Sequence, residues 1–318
     1  MIDMETSCYG INWIIKEYAK FPKYLPLPCH MEHGWTPIEN ALKSDLVSNK
    51  PLMLVFSKRR AEAWKKKSQI SVEIMGSPFI HFKNMHHVTK QKDAKGTVVF
   101  PSHSTYDLIS QFSVEQYCQE LKNLPVKFQP VTICLFWLDF IEKKADIYRK
   151  NGFKVVSAGH KFSIGLDFVK NFYKILSSHK YASSNEVGSY TFYAIDLGLP
   201  FFLTGKAPVL NNVGEDVNVG KTARTNDFRY GVIASRLFKT GPITKISAKQ
   251  KKFVDFEMGL NDCLSRSQLQ ALLNRYNRSY QSFSSTVVYL LESALLRFIL
   301  NGPWGKSFIA MRKKIVRK

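Results

Sequence analysis

Short apolar runs alternate with amphipathic segments along most of the chain up to Thr204. The apolar runs predict strands, and segments with helical periodicity predict helices between them. The predicted strands cover residues 52–56, 72–75, 97–100, 131–140, 154–157 and 201–204. The predicted helices cover residues 114–123, 141–150, 166–177 and 190–197. Strands that alternate with helices form parallel sheets, so the pattern predicts a doubly wound α/β protein with ligand sites at the carboxyl ends of its strands.

Changes in this pattern suggest domain boundaries. Residues 86–96 are polar and charged without periodicity, which predicts a linker between two α/β domains. Residues 206–229 carry no periodic pattern and are predicted as loop, and helices are predicted at 248–260, 266–276 and 285–300. We therefore predict a first domain over residues 1–95, a second over 96–245, and helices with a basic tail over 246–318.

Composition restricts the location and the partners. The chain has 318 residues, 45% of them hydrophobic, and five cysteines without CxxC spacing, which indicates a large core with reduced thiols and a cytoplasmic protein. No export signal is evident, and no uncharged apolar run approaches the roughly 20 residues that span a bilayer. The formal net charge of +21 points to a polyanionic partner, which could be nucleic acid, an anionic membrane surface or an acidic substrate.

Small, hydroxylic and basic residues follow the predicted strands and the apolar segment before His33. Such residues suit a phosphate or sugar site, because they allow close backbone approach and supply N–H donors and cations. In the first half of the chain these residues are Gly34, Trp35, Ser57, Lys58, Gly76 and Ser77. In the second half they are Ser102, His103, Ser104, Gly159, His160, Lys161, Ser183, Ser184, Asn185, Gly188 and Ser189.

The helix start at Gly188-Ser189 and the histidine His33 suggest the most specific chemical roles. Gly188 and Ser189 open a predicted helix directly after a hydroxyl-rich strand end, which would hold an anion or, alternatively, form an ordinary helix cap. His33 precedes a glycine at the end of an apolar segment, where a neutral imidazole could take the proton from an acceptor hydroxyl. The alternative for His33 is a structural histidine in the core.

The order of these segments resembles a known family. HGWTP, SKRR, GSPF, VVFPSHS, SAGHK and SSNEVGSYTFYAIDLGLP follow one another as in bacterial GT-B transferases of surface polysaccharide assembly, particularly those resembling CDP-glycerol glycerophosphotransferases and CMP-sugar transferases. The resemblance implies two Rossmann-like domains facing across a cleft and a nucleotide-sugar donor, CMP-linked sugars being favoured. It implies that His33 is the acceptor-side base, that Gly159 and His160 lie near the nucleotide, and that residues 184–189 hold the donor phosphate. The acceptor would be a glycan or lipid-linked glycan of capsule or lipopolysaccharide.

The remaining motifs refine this expectation. No DxD motif follows a predicted strand, which favours a metal-independent transfer without a further cofactor. The resemblance to the family implies that the transfer is inverting. Gly220-Lys221-Thr222 lacks the spacing of a P-loop. The basic runs KRRAEAWKKK and MRKKIVRK predict either solvated helix faces or, for the tail at 302–318, docking on an anionic membrane at the inner face of the cell membrane. A GT-B-fold sugar-nucleotide epimerase and a basic nucleic-acid-binding or scaffold protein remain the alternative functions.

Overall fold

The computed structural model describes residues 6, 8–32, 34–42, 46, 50–105, 107–141, 144–163, 165–214 and 220–280. The predicted base His33 lies outside the described residues. The predicted helix at 285–300 and the basic tail at 302–318 lie outside them as well. In the part of the chain that is described, no helix combines the length and the apolar character needed to cross a bilayer.

Between residues 29 and 203 most strands are followed by a helix. The strands are β1 (Cys29–Met31), β2 (Leu52–Val55), β3 (Ser71–Ile74), β4 (Thr97–Val99), β5 (Leu108–Gln111), β6 (Val131–Cys134), β7 (Lys154–Val156), β8 (Tyr181–Ser184), β9 (Phe201–Leu203), β10 (Val209–Asn212) and β11 (Thr222–Ala223). The helices are α1 (Ile11–Tyr18), α2 (Lys58–Lys65), α3 (Pro78–Met85), α4 (Val114–Lys122), α5 (Trp137–Ile141), α6 (Lys144–Lys150), α7 (Asp167–Ser177), α8 (Ser189–Asp196), α9 (Arg229–Leu237), α10 (Ala248–Glu257) and α11 (Arg266–Tyr280).

In the part of the chain that the structure describes, the strands form two parallel sheets and one antiparallel sheet. β1, β2 and β3 form a three-stranded parallel sheet in that order. The second parallel sheet has five strands in the order β7-β6-β4-β8-β9, so its first strand along the chain lies at the centre. Thr97 of β4 is paired with Val131 of β6 on one side and with Tyr181 of β8 on the other. The third sheet pairs β5, β10 and β11 antiparallel. The predicted α/β class with parallel sheets is confirmed.

Apolar periodicity explains how the helices cover these sheets. α7 buries Val169, Phe172, Tyr173 and Leu176, which recur at the three- and four-residue spacing of one helix face. Each such side chain contributes about 1.5–3 kcal/mol when it is fully buried. Phe79 of α3 stacks on Tyr193 of α8, with 4.9 Å between ring centroids, so helices that follow different sheets share one core. The predicted domain boundaries at 95 and 245 stay predictions.

Two predicted segments are wrong in the structure. The apolar run at 131–140 is not one strand, because β6 ends at Cys134 and α5 begins at Trp137. After the Leu135 N–H donates to the Val156 carbonyl, the chain leaves the sheet and its next two aromatic rings pack against histidines. The segment at 206–229 is not a plain loop either, since it contains β10 and β11.

The basic run on α2 is only partly solvated. Arg59 and Arg60 are both buried and each forms an ion pair with a buried glutamate. Arg60 donates from Nε and Nη2 to Glu32 Oε1 at 2.8 and 2.6 Å, and Arg59 donates from Nη2 to Glu257 Oε2 at 2.6 Å. These two cations therefore hold the fold together and do not face a polyanion.

Candidate functional site

The five-stranded sheet has a topological switch point between β4 and β8. Within this sheet the strands lie in the spatial order 3-2-1-4-5, numbered along the chain, which is the order of the first five strands of the doubly wound α/β fold. The crossovers from the two central strands leave in opposite directions, which opens a crevice at their carboxyl ends. The residues that follow β4 and β8 therefore line the expected ligand site.

The strand ends at the switch point are joined by side chains. The Ser102 backbone N–H donates to Asn185 Oδ1 at 2.8 Å, and the Ser102 hydroxyl donates to Glu186 Oε1. Ser102 lies beyond β4, whereas Asn185 and Glu186 lie beyond β8. The structure thus brings together two of the predicted strand ends and adds a carboxylate that was not predicted as a site residue.

The antiparallel sheet packs against this junction. Ser110 of β5 donates from its hydroxyl to Ser102 Oγ at 2.7 Å, and its N–H donates to Ser104 Oγ at 3.2 Å. Thr225, which follows β11, donates from Oγ1 to Glu186 Oε2 at 3.1 Å. Each carboxylate oxygen of Glu186 therefore accepts a hydroxyl hydrogen bond. Burial raises the pKa of Glu186, and the hydrogen bonds from Ser102 and Thr225 act in the opposite direction.

The two serines at the end of β8 are buried and internally bonded. Ser183 donates from its hydroxyl to Thr204 Oγ1 at 3.0 Å, and the Ser184 hydroxyl bonds the Tyr190 hydroxyl at 2.9 Å. Both serines are fully buried. Their hydroxyls are occupied by protein in this structure, and their assignment to the donor-phosphate site stays a prediction.

Asn185 carries a buried polar group without a partner among the described residues. Its side-chain oxygen accepts from Ser102, while its amide nitrogen, Nδ2, is buried without a hydrogen bond. A buried donor that is left unsatisfied costs about 1–3 kcal/mol. An acceptor atom of a ligand in the crevice would remove this cost.

Two lysines supply positive charge beside the switch point. Lys144, the first residue of α6, lies 2.5 Å from Asp139 Oδ1 and 3.4 Å from Ser104 Oγ, measured from Nζ. His103, after β4, packs its ring on Phe136 with 4.1 Å between centroids. Burial, with smaller effects of the Lys144 and Lys161 charges, lowers the pKa of His103 to about 4. His103 is therefore neutral at pH 7, and the lysines carry the charge.

The turn after β7 places a second neutral imidazole in this region. His160 packs on Trp137 with 4.0 Å between ring centroids, and its Nδ1 accepts from the Phe162 N–H at 3.1 Å. Burial, with a smaller effect of the Lys161 charge, lowers the pKa of His160 to about 4. Gly159 begins the turn with a φ of +106°, a conformation that favours glycine. Since Nδ1 accepts, Nε2 carries the proton, and this buried donor has no partner in the described part of the chain.

A turn from the first sheet reaches the start of α8. The Trp35 N–H donates to Ser189 Oγ at 2.8 Å, and a Cβ added to Gly34 would lie 3.0 Å from the same oxygen. Gly188, at the helix start, has no room for a side chain, because its Cβ would lie 2.8 Å from the Tyr190 ring. These residues bring the turn that follows β1 next to the helix that follows β8.

Of the other four predicted acceptor-side residues, three are buried by the chain itself and Lys58 is exposed. The four residues are Ser57, Lys58, Gly76 and Ser77. The Ser77 N–H donates to the Met258 carbonyl at 3.0 Å, and Lys58 pairs with Asp262 at 2.7 Å. The segment after α10 thus lies over the carboxyl ends of β2 and β3, and the assignment of these four residues to the acceptor side stays a prediction.

Sequence reasoning missed several residues of the junction. Glu186 directly follows the predicted Ser-Ser-Asn turn, so its carboxylate could have been included from the sequence. Ser110 and Thr225 could not, because β5, β10 and β11 were not predicted. Among the described residues, no group of three or more His, Cys, Asp or Glu side chains is arranged to hold a metal ion.

Comparisons with known proteins give weak structural likenesses. No protein-family model and no curated protein sequence matches the chain. The wall teichoic acid polymerase TagF aligns with a TM-score of 0.36 and 10% identity over 86% of this chain and 69% of that one. A histidine-to-alanine variant of TagF gives a TM-score of 0.35 with the same identity and coverage. The glycosylation-associated Gap123 complex from Streptococcus agalactiae gives a TM-score of 0.32 and 14% identity over 79% of this chain and 46% of that one. At TM-scores below 0.5 these likenesses do not establish a shared function.

Proposed function

We propose that this chain is a glycosyltransferase that moves a sugar from a nucleotide-activated donor, CMP-linked sugars being favoured, to a glycan or lipid-linked glycan. The observation that carries the proposal is the strand order β7-β6-β4-β8-β9, with cations gathered at its switch point. A parallel sheet of this order offers a nucleotide site where β4 and β8 diverge. The charge and hydrogen-bonding capacity of each side chain around this site indicate which part of a nucleotide sugar it would contact.

The nucleotide phosphate lies beside Lys144 and Lys161 in this proposal. Their charges act on His103, whose neutral ring adds a further hydrogen-bonding group. Cations held in a partly buried site stabilise the negative charge that develops on a departing phosphate. The two lysines would stabilise this charge in place of a metal ion, in line with a metal-independent transfer.

The base and ribose lie closer to the β8 end. Glu186 provides acceptor oxygens, and the unpaired amide nitrogen of the preceding residue, Asn185, provides a donor. Cytosine presents an exocyclic amino donor next to ring acceptors, which matches one acceptor and one donor on the protein. This pairing supports the preference for a cytidine nucleotide.

The acceptor reacts from the side of the first sheet. His33 takes the proton from the acceptor hydroxyl, whose oxygen bonds the anomeric carbon as the bond from that carbon to the phosphate oxygen breaks. The electron pair of the broken bond leaves with the nucleotide, and attack from the opposite face inverts the anomeric centre. The contact between Trp35 and Ser189 supports this role, because it joins the turn after β1 to α8.

A nucleotide-binding screen tests the proposal. CMP, CDP, UDP and GDP are compared by thermal shift with and without Mg²⁺, because a ligand at a hundred times its Kd adds about 2.7 kcal/mol of stability. We expect a cytidine nucleotide to stabilise the protein without Mg²⁺. Lys161→Ala should remove most of this shift, whereas Lys154→Ala, an exposed lysine at the opposite end of β7, should retain it. Stabilisation by none of the nucleotides, or equal shifts in both variants, would refute the proposed site.

The proposal also covers the glycan acceptor and the location of the enzyme at the membrane. Assembly of a lipid-linked glycan at the cytoplasmic face of the membrane requires the enzyme to be held there, and the cationic tail at 302–318 would contribute by adsorption to anionic lipid. Transfer is measured by release of free nucleotide and by mass gain of a short glycan acceptor. Nucleotide release that does not depend on added acceptor would point to hydrolysis in place of transfer.

A further inference from the structure

A groove of about 350 Å³ lies at the end of the molecule opposite the switch point. It is formed where the C-terminal ends of α3 and α7 meet the segment that leads to β4. These helices follow parallel strands and run back along them, so their C-terminal ends lie at the amino ends of the strands. The groove is therefore remote from the proposed donor site.

The groove has an apolar floor and a cationic rim. Phe82, Val88 and Tyr173 line its floor, with 6.0 Å between the stacked rings of Phe82 and Tyr173. Lys170 and Lys174 lie one helical turn apart on α7, are exposed and line the same groove. An apolar floor beneath paired cations fits an amphiphilic anion better than a purely polar one.

Further cations extend the rim along the neighbouring segment. The Gln91 N–H donates to the Ser177 carbonyl at 2.9 Å and the Lys95 N–H donates to the Ser178 carbonyl at 3.2 Å, which fixes this segment along the end of α7. The segment and the residue that precedes β8 add exposed lysines at positions 90, 92, 95 and 180, with Asp93 as the acidic residue between them. The face is thus strongly positive over a wider area than the groove itself.

The start of α11 continues this face. His86, which lines the groove, pairs with Glu17 at 2.9 Å. Arg266, the first residue of α11, donates from Nε to the Tyr18 carbonyl at 2.9 Å and lies next to Glu17. The groove, the end of α1 and the start of α11 are therefore neighbours.

We infer that this face docks on the anionic headgroups of a phospholipid bilayer. Charge complementarity selects the occupant, because the lysines suit headgroup phosphates while the apolar floor accepts the adjoining glycerol and upper acyl region. Docking at this end leaves the switch crevice at the opposite end open to nucleotide. The inference does not depend on the transfer chemistry proposed above.

Vesicle binding by the full chain tests this inference. Co-sedimentation is measured with phosphatidylcholine vesicles that contain or lack phosphatidylglycerol, at physiological salt. The groove variant is Lys170→Gln with Lys174→Gln, and the control is Lys249→Gln with Lys252→Gln, which removes the same charge from exposed sites on α10. Since each lysine near an anionic surface adds roughly a fivefold factor, partly screened, the groove variant should partition about tenfold less. The control should stay within about twofold of wild type.

Several results would overturn the inference. Equal losses in both variants would show that net charge alone drives adsorption, and no loss in either would place docking elsewhere, such as on the tail at 302–318. Binding of the protein to duplex DNA in preference to vesicles would assign the face to another polyanion. Thermal stabilisation of the protein by inorganic phosphate without vesicle binding would do the same. The nucleotide thermal shift of the groove variant should equal that of wild type. Loss of vesicle binding by wild type with an intact nucleotide shift would refute only the docking inference. Vesicle binding without any nucleotide shift would refute only the proposed donor site.

Discussion

Removing the carboxylate of Glu257 should destabilise the whole protein. Glu257 is 1% exposed and lies at the end of α10. Arg59 donates to it from Nε at 3.0 and 3.2 Å and from Nη2 at 2.6 Å, and Trp35 donates from Nε1 at 2.7 Å. The remaining N–H groups of Arg59 reach the carbonyls of Thr36 and Ile38. Glu257→Gln would leave the guanidinium buried in this network without its counter-charge.

The expected loss follows from the burial of the pair. Breaking a buried ion pair by removing one partner costs about 3–5 kcal/mol, because the other charge remains in a medium of low polarity. Unfolding entropies scale with chain length, so this loss corresponds to roughly 4–8 °C in Tm for a chain of 318 residues. The control is Glu62→Gln on α2, which removes an exposed carboxylate with a change of well under 1 kcal/mol.

A double-mutant cycle separates the pair from its surroundings. Arg59→Met should destabilise the protein on the same scale as Glu257→Gln, and the combined variant should lose clearly less than the sum of the two. Tm and urea midpoints are measured for all three variants. If Glu257→Gln lowers Tm no more than Glu62→Gln, or if the two losses simply add, the buried pair does not hold α10 to the first sheet as described.

Three further predictions concern the candidate site. The folded-state pKa of His103, about 4, lies below its ordinary value of 6.5, so its contribution to stability is present above pH 6.5 and is lost as the pH falls towards 4. Wild type should therefore lose about 3 kcal/mol more than His103→Gln between pH 7 and 4 in thermal melts, and parallel curves would contradict this. The pKa of Glu186 is raised from 4.5, so wild type should become less stable than Glu186→Gln as the pH rises above 4.5; a constant difference would place the carboxyl in water. His33→Ala should cut transfer by about a hundredfold with nucleotide binding unchanged, and an unchanged rate would exclude it as the base.

The parts of the fold that local pattern determines could be predicted from the sequence. The five-residue apolar run at 52–56 predicts β2 closely, because the run is buried on every side. The run at 131–140 misled the prediction, since Phe136 and Trp137 are as apolar as the strand residues before them. Their rings contact His103 and His160, whose sequence positions do not reveal this packing.

Long-range partners explain what the site prediction missed. Arg59 looks like a solvated cation in the sequence, and its carboxylate partner is 198 positions away. α3 is not among the predicted helices, although Pro78 occupies the first turn of a helix, where proline is favoured. Ser110 reaches Ser102 from β5, and Thr225 reaches Glu186 from the turn that follows β11; these short, half-exposed strands have no clear periodicity in their composition.

The central position of β4 has a consequence for the chain during its synthesis. β4 is made first of its five strands, yet both of its edges are covered only by strands made later. Residue 97 pairs with residue 131, which follows 34 positions later, and with residue 181, which follows 84 positions later. At about 5–20 residues per second on the ribosome, the second edge waits roughly 4–17 s for its partner. During that interval the apolar Val98 and Val99 are exposed to other nascent chains, so the yield of folded protein should depend on chaperones and on the rate of translation between β4 and β8.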